Sequence, residues 1–314
     1  MIRYLTELSL EAFVEAARNV PYQQINSDLF PGIDLWIRRD DLIDPLISGN
    51  KAYKLIYNLL EARDRGLDTI ITCGGAWSNH IHATAAAGLR FGFKTVGIIR
   101  GHRPPVLSAM LQDAERFGME LRFVSRLDYK KRNDAGFLAG IGLGDVAGWF
   151  VPESGANFQG ARGIQLLGKA IEQTKPIDFE ECWVACGTGL TLGALASGMK
   201  EPTKLVGVPV LKAEPAIREE ANQWASTNNQ NDRFSLIKGA HHGGYGKSSS
   251  ILEVFQCALE SQESLVLEHV YTAKIAYALA EQSRMTTSGK GLGAKKGVLL
   301  LHTGGLQGAR GVVK

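Results

Sequence analysis

The stretch Thr69-Ile70-Ile71-Thr72-Cys73-Gly74-Gly75-Ala76-Trp77-Ser78-Asn79-His80 indicates how this chain is built. Its first five residues are a β-branched run, typical of a buried parallel strand. A glycine-rich turn follows, and an alanine-rich helix is predicted over 79–91. Such a turn places free backbone N–H groups at a helix N-terminus, which favours anion binding. Ser78 or Asn79 could instead serve only as the helix N-cap.

The same alternation of strand and helix extends in both directions. Helices are predicted over 51–66, 105–117, 159–173, 189–198, 214–225 and 272–284, and strands over 95–99, 121–124, 181–186, 205–208 and 297–301. Repeated units of this kind predict an α/β fold with parallel sheets covered by helices. The glycine-rich, less regular stretch 136–155 is the candidate domain junction. A second stretch, 288–297, with four glycines and three lysines, is predicted to be a solvated loop.

Composition excludes several classes of protein. The chain has 314 residues, 45% of them hydrophobic, and a formal net charge of +3. This charge is too small to predict binding to nucleic acid or to a membrane surface. Apolar stretches are shorter than the roughly 20 residues of a membrane helix, and the N-terminus lacks the apolar run of a signal peptide. We therefore expect a cytoplasmic protein.

No metal site is predicted. The four cysteines form no C-x-x-C pair, and they are expected to be thiols in a reducing compartment. His80, His82, His241 and His242 have no third ligand at a recognisable spacing. Ser78 also lacks the flanking glycines of a hydrolase nucleophile elbow, because Ala76 and His80 occupy those positions.

Lys51 is the candidate nucleophile. It follows the turn residues Gly49 and Asn50 and stands at the start of a predicted helix, where a cation is unfavourable. Desolvation there would lower the amine pKa and release a neutral nucleophile. Lys54 lies one turn further on the same face and could pair with a bound anion. The alternative is a pair of solvated surface lysines.

A second glycine-rich turn, Cys186-Gly187-Thr188-Gly189-Leu190-Thr191-Leu192-Gly193, follows a predicted strand. Leu192 occupies the last glycine position of the dinucleotide fingerprint, and the lysine of a nucleotide P-loop is absent. The turn therefore suits a single phosphate better than a nucleotide. Near the C-terminus, small residues in Leu301-His302-Thr303-Gly304-Gly305 allow the close approach of a flat ligand.

Five segments occur in an order that resembles a known family: Arg39-Asp40-Asp41-Leu42, Ser48-Gly49-Asn50-Lys51, Ser78-Asn79-His80, the turn 187–191 and His302-Thr303-Gly304-Gly305. Over roughly residues 30–310 the chain is similar to the 1-aminocyclopropane-1-carboxylate (ACC) deaminase and D-cysteine desulfhydrase family of fold-type II enzymes, which use pyridoxal 5′-phosphate (PLP). The resemblance implies the tryptophan synthase β-like fold, with two open, twisted, mostly parallel sheets flanked by helices. It implies a large domain (1–50 and 155–314), a smaller domain (51–154), and an active site in the cleft between them.

The resemblance also implies how PLP is held. Lys51 carries it as a Schiff base and later moves the substrate proton. The phosphate is bound by Lys54 and by the backbone of Gly187, Thr188, Gly189, Leu190 and Thr191. Asn79 bonds the ring hydroxyl, and Thr303 completes the cofactor-binding set.

Substrate contacts follow from the same resemblance. Ser78 and the N–H groups of Asn79 and His80 take the carboxylate, with Trp77 beside them. Tyr245 and Tyr271 match catalytic tyrosines that face the substrate. Trp77 and His82 depart from the family, in which Gln and Arg are usual, and both are expected near the substrate carboxylate.

Two positions favour the desulfhydrase branch. Thr272 stands where ACC deaminases have Glu, and Thr303 where they prefer Leu. A hydroxyl near the pyridine nitrogen gives a weaker electron sink, which suffices for a thiolate leaving group with a conjugate-acid pKa of about 8.5. The predicted function is PLP-dependent β-elimination on a small amino acid, with D-cysteine favoured, by a homodimeric lyase. ACC deamination, a non-catalytic PLP-binding protein and a nucleotide-binding α/β protein are the alternatives.

Overall fold

Two β-sheets form the framework of the protein. The structure, a computed structural model, describes residues 5–200, 202–225, 233–287 and 295–311. Most of the predicted loop 288–297 therefore lies outside the described residues. The strands are β1 (Tyr22–Ile25), β2 (Ile33–Arg38), β3 (Thr69–Gly74), β4 (Lys94–Arg100), β5 (Met119–Val124), β6 (Trp149–Val151), β7 (Glu181–Cys186), β8 (Lys204–Pro209), β9 (Phe234–Leu236) and β10 (Lys296–Leu301).

The two sheets are open and mostly parallel, as predicted. One has six strands in the order β1-β2-β10-β7-β8-β9, and the other has four in the order β5-β4-β3-β6. Among the described strands, only β1 and β2 pair antiparallel. Every residue of β3 is buried, which explains why this strand is a continuous run rather than an alternating one.

Helices connect and cover the strands. They are α1 (Leu10–Arg18), α2 (Asn50–Asp64), α3 (Asn79–Phe91), α4 (Ala109–Arg116), α5 (Arg126–Lys130), α6 (Phe137–Gly140), α7 (Phe158–Thr174), α8 (Leu190–Gly198), α9 (Glu214–Trp224), α10 (Ser250–Gln262) and α11 (Thr272–Thr287). Within the described ranges, none of these helices is long and apolar enough to cross a membrane.

Two predictions about elements need correction. Helix α4 begins at Ala109 rather than at 105, because the Ser108 side chain caps it by accepting a hydrogen bond from Leu111 N–H at 3.3 Å. The stretch 136–155 contains β6, which pairs parallel with β3 and extends the four-stranded sheet. With three residues, β6 is too short to show a periodic pattern.

The division into two domains remains a proposal. All strands of the four-stranded sheet lie between residues 69 and 151, and those of the six-stranded sheet lie outside that range, which supports it. Helix α2 packs closely on α7: a Cβ on Gly163 would stand 1.8 Å from the Tyr53 carbonyl oxygen. The glycine therefore allows α2, which begins with the Lys51 segment, to approach the larger unit.

Candidate active site

A cavity of about 680 Å³ lies where strand ends of the two sheets meet. Its wall includes the turns that follow β3, β7 and β10 and the first turn of α2. In open α/β sheets, ligands bind at the carboxyl ends of the strands, and this volume is typical of a cofactor site. The cavity wall includes all the site residues predicted from the sequence except Leu190, whose side chain is buried in the core: Lys51, Lys54, Trp77, Ser78, Asn79, His80, Gly187, Thr188, Gly189, Thr191, Tyr245, Tyr271 and Thr303.

The α2 N-terminus directs Lys51 into this cavity. Gly49 caps the helix with φ +64°, and Asn50 N–H donates to the Thr303 carbonyl at 3.3 Å. Burial lowers the pKa of Lys51 to about 8, and Glu153 opposes the shift. The Lys51 amine donates a hydrogen bond to Ser154 Oγ at 3.0 Å. A substantial fraction of this amine is therefore neutral, and nucleophilic, near pH 8.

Lys54 is a buried amine without an anionic partner among the described residues. Its side chain is almost fully buried, and burial, followed by the charge of Lys51, lowers its pKa well below the usual value. No residue in the described ranges accepts a hydrogen bond from its amine. The start of α8 lies near the start of α2, since Asn50 Nδ2 donates to Thr191 Oγ1 at 3.3 Å. A phosphate at the turn before α8 would supply the missing charge.

Two of the buried polar atoms without a hydrogen-bond partner among the described residues lie at the start of α3: Asn79 Oδ1 and His80 Nδ1. The tautomer of His80 follows from its surroundings. The Thr72 hydroxyl donates a hydrogen bond to the Val151 carbonyl at 2.7 Å, so its oxygen accepts a hydrogen bond from His80 Nε2–H at 2.9 Å. Burial lowers the pKa of His80 well below 6.5, so the ring is neutral and Nδ1 is a free acceptor.

The donor set fits PLP. Buried polar groups without partners are costly, and a ligand with hydrogen-bonding groups and a phosphate would satisfy them. Lys54 and the turn Gly187–Thr191 would hold the phosphate, Asn79 would bond the ring hydroxyl, and the Lys51 amine would attach to the aldehyde carbon. These are the roles that the family resemblance implies.

The proposed carboxylate site lies at the start of α3. Ser78 caps this helix, with Oγ accepting a hydrogen bond from Ile81 N–H at 3.3 Å. This bond uses a lone pair, so the hydroxyl proton stays available to a ligand. Trp77 stands at the edge of the cavity with 38% of its surface exposed. The turn thus acts both as a helix cap and as a cavity wall.

His82 lines the cavity and also contacts α4 and the residue that follows it. Its Nε2 lies 3.3 Å from Asp113 Oδ2, and its ring packs edge-on against Phe117 at 5.4 Å between centroids. Burial, with a contribution from Arg310, lowers its pKa to about 4. Asp113 also contacts Arg116 and Arg310. The ring of His82 is therefore neutral and tied to a carboxylate.

Tyr245 and Tyr271 form one wall of the cavity. Their ring centroids are 6.2 Å apart in an edge-to-face arrangement. A Cβ on Gly187 would stand 3.6 Å from the Tyr271 hydroxyl, so this hydroxyl lies beside the phosphate turn. Burial raises the pKa of both phenols, that of Tyr271 well above 10. Both therefore remain protonated at neutral pH and can donate.

Sequence reasoning missed several residues of this site. Ser154, the hydrogen-bond partner of Lys51, has φ +64°, a conformation unusual for a residue other than glycine. Glu153 accepts from Tyr129 Oη at 2.8 Å and lies 2.7 Å from Arg132 Nε. Only the irregular composition of 136–155 pointed to this segment, and irregularity does not specify contacts.

Glu268 does not line the cavity but stabilises the backbone of the Tyr271 segment, which does. Its carboxylate accepts hydrogen bonds from the backbone N–H groups of Val270, Tyr271 and Thr272 at 2.5–2.8 Å. It also lies against Gly305 and close to Asn79, since a Cβ on Gly305 would approach both side chains. An acidic residue four positions before the predicted helix start was the available signal. Glu268 therefore positions Tyr271 and the end of the β10 turn.

Glu268 should make stability depend on pH. Burial raises its pKa to about 7, from an ordinary value of 4.5, although its backbone hydrogen bonds oppose the shift. The folded protein then holds a proton that the unfolded chain releases between these pH values, so the contribution of Glu268 to stability falls as pH rises from 4.5 to 7. The expected loss is about 3 kcal/mol. The lowered pKa values of His80 and His82 act in the opposite direction, so chemical denaturation of the apoprotein between pH 4.5 and 8 should reveal this decline as the difference between the wild type and Glu268→Gln.

A matched pair of variants isolates this effect. The stability of the wild type relative to Glu268→Gln should fall as pH rises from 4.5 to 7, whereas the same change at the exposed Glu253 should leave the pH dependence of the wild type unaltered. An unchanged pH slope in Glu268→Gln would contradict the assignment.

Comparison with known proteins agrees with this geometry. A family described as "Pyridoxal-phosphate dependent enzyme" matches residues 16–304. The matched range contains Lys51, Lys54 and the two glycine-rich turns that line the cavity. The chain belongs to the PLP-dependent enzyme family, and its fold is of fold-type II.

Within that family it is similar to the ACC deaminase and D-cysteine desulfhydrase branch. A putative ACC deaminase of Thermotoga maritima is 30% identical over 293 residues, covering 88% of this chain and 90% of that protein. A D-cysteine desulfhydrase of Yersinia pestis is 26% identical over 294 residues, covering 87% of each. The crystal structure of an ACC deaminase homologue superposes with a TM-score of 0.74 at 26% identity, covering 92% of this chain and 90% of that one.

Proposed function

We propose that the protein catalyses PLP-dependent β-elimination on a small amino acid. The reference reaction converts D-cysteine and water to pyruvate, ammonia and sulfide. The similarity to a D-cysteine desulfhydrase supports this proposal, but similarity to putative ACC deaminases is at least as high. The choice between them rests on the composition of the cavity.

The supporting observation is the scarcity of carboxylates around the cofactor site. Among the described residues that line the cavity, Glu153 is the one carboxylate, and Arg132 and Tyr129 already engage it. The Thr272 hydroxyl is buried and exchanges hydrogen bonds with the Glu268 backbone, at 2.8 and 3.2 Å. Within the described ranges, no other acid lines the cavity to keep a pyridine nitrogen protonated. A weaker electron sink suits substrates whose β-substituent leaves easily, such as a thiolate, better than an unactivated cyclopropane ring.

Each residue has a defined part in this reaction. Bound PLP supplies the electron sink for cleavage at the substrate Cα. The Lys51 amine, with its pKa near 8, can accept the Cα proton of the substrate. Ser78 and the first N–H groups of α3 bind the carboxylate, and the protonated Tyr271 hydroxyl can donate to the departing group. The enclosing tyrosines limit the access of water.

A substrate panel tests the proposal. Purified holoenzyme is supplied with D-cysteine, L-cysteine, D-serine and ACC, and keto acid is measured. We expect pyruvate from D-cysteine at a kcat/KM at least about tenfold above that for ACC, because the thiolate is the better leaving group. Formation of 2-oxobutanoate from ACC without product from D-cysteine would identify an ACC deaminase instead.

A non-catalytic PLP-binding protein is the alternative of another class, and the departures at Trp77 and His82 favour it. It predicts covalently bound, coloured cofactor and no keto acid from any amino acid in the panel. The homodimer and the cytoplasmic location expected from the sequence remain predictions. Size-exclusion chromatography with light scattering tests the former.

A further inference from the structure

Three arginines line the cavity on the side of the four-stranded sheet. Arg100 ends β4, Arg126 begins α5, and Arg132 follows that helix. Arg132 is already engaged, with Nε 2.7 Å from Glu153 Oε2. Arg100 and Arg126 have no carboxylate partner within the ranges that the structure describes. Two positive charges therefore face the cavity without a matching anion.

Arg100 lies on the substrate side of the cavity. Its guanidinium would be 3.6 Å from a Cβ on Gly75, in the turn that leads to the proposed carboxylate site. The guanidinium also lies 5.8 Å from the centre of the Tyr129 ring. Tyr245 lines the same cavity. Arg100 thus lies beside the Gly75 turn and shares the cavity wall with Tyr245.

PLP and an amino acid with a neutral side chain would not engage the positive charges of Arg100 and Arg126. Lys51 and Lys54 serve the cofactor, and the N-terminal turn of α3 serves the substrate carboxylate. Arginine has a planar fork of donors that binds carboxylate, sulfonate or phosphate through paired hydrogen bonds. The remaining ligand for such a fork is a second anionic group on the substrate.

We propose that Arg100 and Arg126 bind a negatively charged group carried by the substrate's β-substituent. This inference rests on the proposed β-elimination and names its substrate class: amino acids whose β-substituent bears a carboxylate, sulfonate or phosphate. In the reaction the Cα proton is removed, and the bond from Cβ to the leaving atom breaks with its electron pair on that atom. Uptake of water then gives pyruvate, ammonia and the anionic leaving group.

Two isosteric substrates test the inference. S-carboxymethylcysteine and S-carbamoylmethylcysteine have the same sulfur leaving atom. The first carries a carboxylate on its β-substituent, and the second carries a neutral amide of the same shape. Each is supplied as a racemate to the holoenzyme. We expect kcat/KM for the carboxylate to be about tenfold higher, since a charge-assisted hydrogen bond is stronger than a neutral one. Titration followed by cofactor absorbance gives the Kd of each compound independently of turnover.

Variants assign the effect to individual residues. Arg100→Gln and Arg126→Gln should each lower kcat/KM and affinity for the carboxylate compound about tenfold and leave the amide compound unchanged. Arg122→Gln is the matched control, because Arg122 lies in β5 of the same sheet and does not line the cavity. It should alter neither compound.

The outcomes separate the two proposals. Equal kcat/KM and Kd values for the two compounds in the wild type would overturn the inference and leave the proposed β-elimination unaffected. Equal losses for both compounds in Arg100→Gln would also overturn it, because they would assign Arg100 to the α-carboxylate. Selective binding of the carboxylate compound without keto acid from any substrate would support the arginine site and overturn the proposed reaction.

Discussion

Replacing Lys51 by alanine is expected to abolish covalent attachment of PLP and to lower keto-acid formation by at least about 10³-fold. The variant loses the one amine that lines the cavity at the start of α2 with a pKa near 8. Borohydride treatment followed by intact-mass measurement should show one added pyridoxyl group in the wild type and none in Lys51→Ala. Folding should be preserved, because the removed side chain lines a cavity rather than the core.

Two other lysines serve as controls for this result. Lys54→Ala should keep covalent attachment and weaken PLP affinity, since the amine that it removes is the one expected at the phosphate. Lys274 also has a pKa lowered by burial to about 8, but its amine donates to the Gly244 carbonyl at 2.8 Å, outside the cavity wall. Labelling that persists in Lys51→Ala would contradict the assignment.

The Gly49→Ala substitution should have the second-largest effect. Gly49 has φ +64°, and a Cβ there would stand 1.9 Å from the Thr303 carbonyl oxygen. Unfavourable backbone conformation and overpacking together should lower the free energy of unfolding by about 3 kcal/mol. The start of α2 must move away from the β10 turn, so PLP affinity should fall as well. Chemical denaturation and PLP titration measure the two effects.

Gly66→Ala is the matched control for Gly49→Ala. Gly66 has nearly the same conformation, φ +69°, but no atom lies within 4 Å of the position that a Cβ would take. Gly66→Ala should lower the free energy of unfolding only by the cost of the unfavourable backbone conformation, about 1 kcal/mol, and should leave PLP binding unchanged. Equal effects of the two substitutions would show that the contact between the α2 turn and Thr303 contributes little.

Elements with long, regular patterns were predictable from the sequence. Helix α3 and strand β7 have the predicted bounds, because an alanine-rich segment and an apolar run between clear boundaries leave few alternatives. Strands β6 and β9, helices α5, α6 and α10 and the elements before residue 50 were missed. The missed strands are short, and β1 is mostly half-buried, so tertiary pairing rather than local pattern decides their structure.

The parts of the site that are formed by glycine-rich turns were predictable from the sequence. The Gly-rich turns after β3 and β7 and the α2 start lie at strand or helix ends, and topology brings such ends together. Contacts between segments distant in sequence were not predictable. The bond from Lys51 to Ser154 and the proximity of Arg100 to the substrate turn depend on how the segments pack, which no local pattern encodes.

The central claim is that Lys51, and no other amine, holds PLP. The most direct test reduces the wild-type holoenzyme with borohydride, digests it and locates the pyridoxyl group by peptide mass spectrometry. We predict a single modified peptide, with the group on Lys51. Modification of Lys54 or of the equally perturbed Lys274 in place of Lys51, or no modified peptide from a PLP-saturated protein, would contradict the claim.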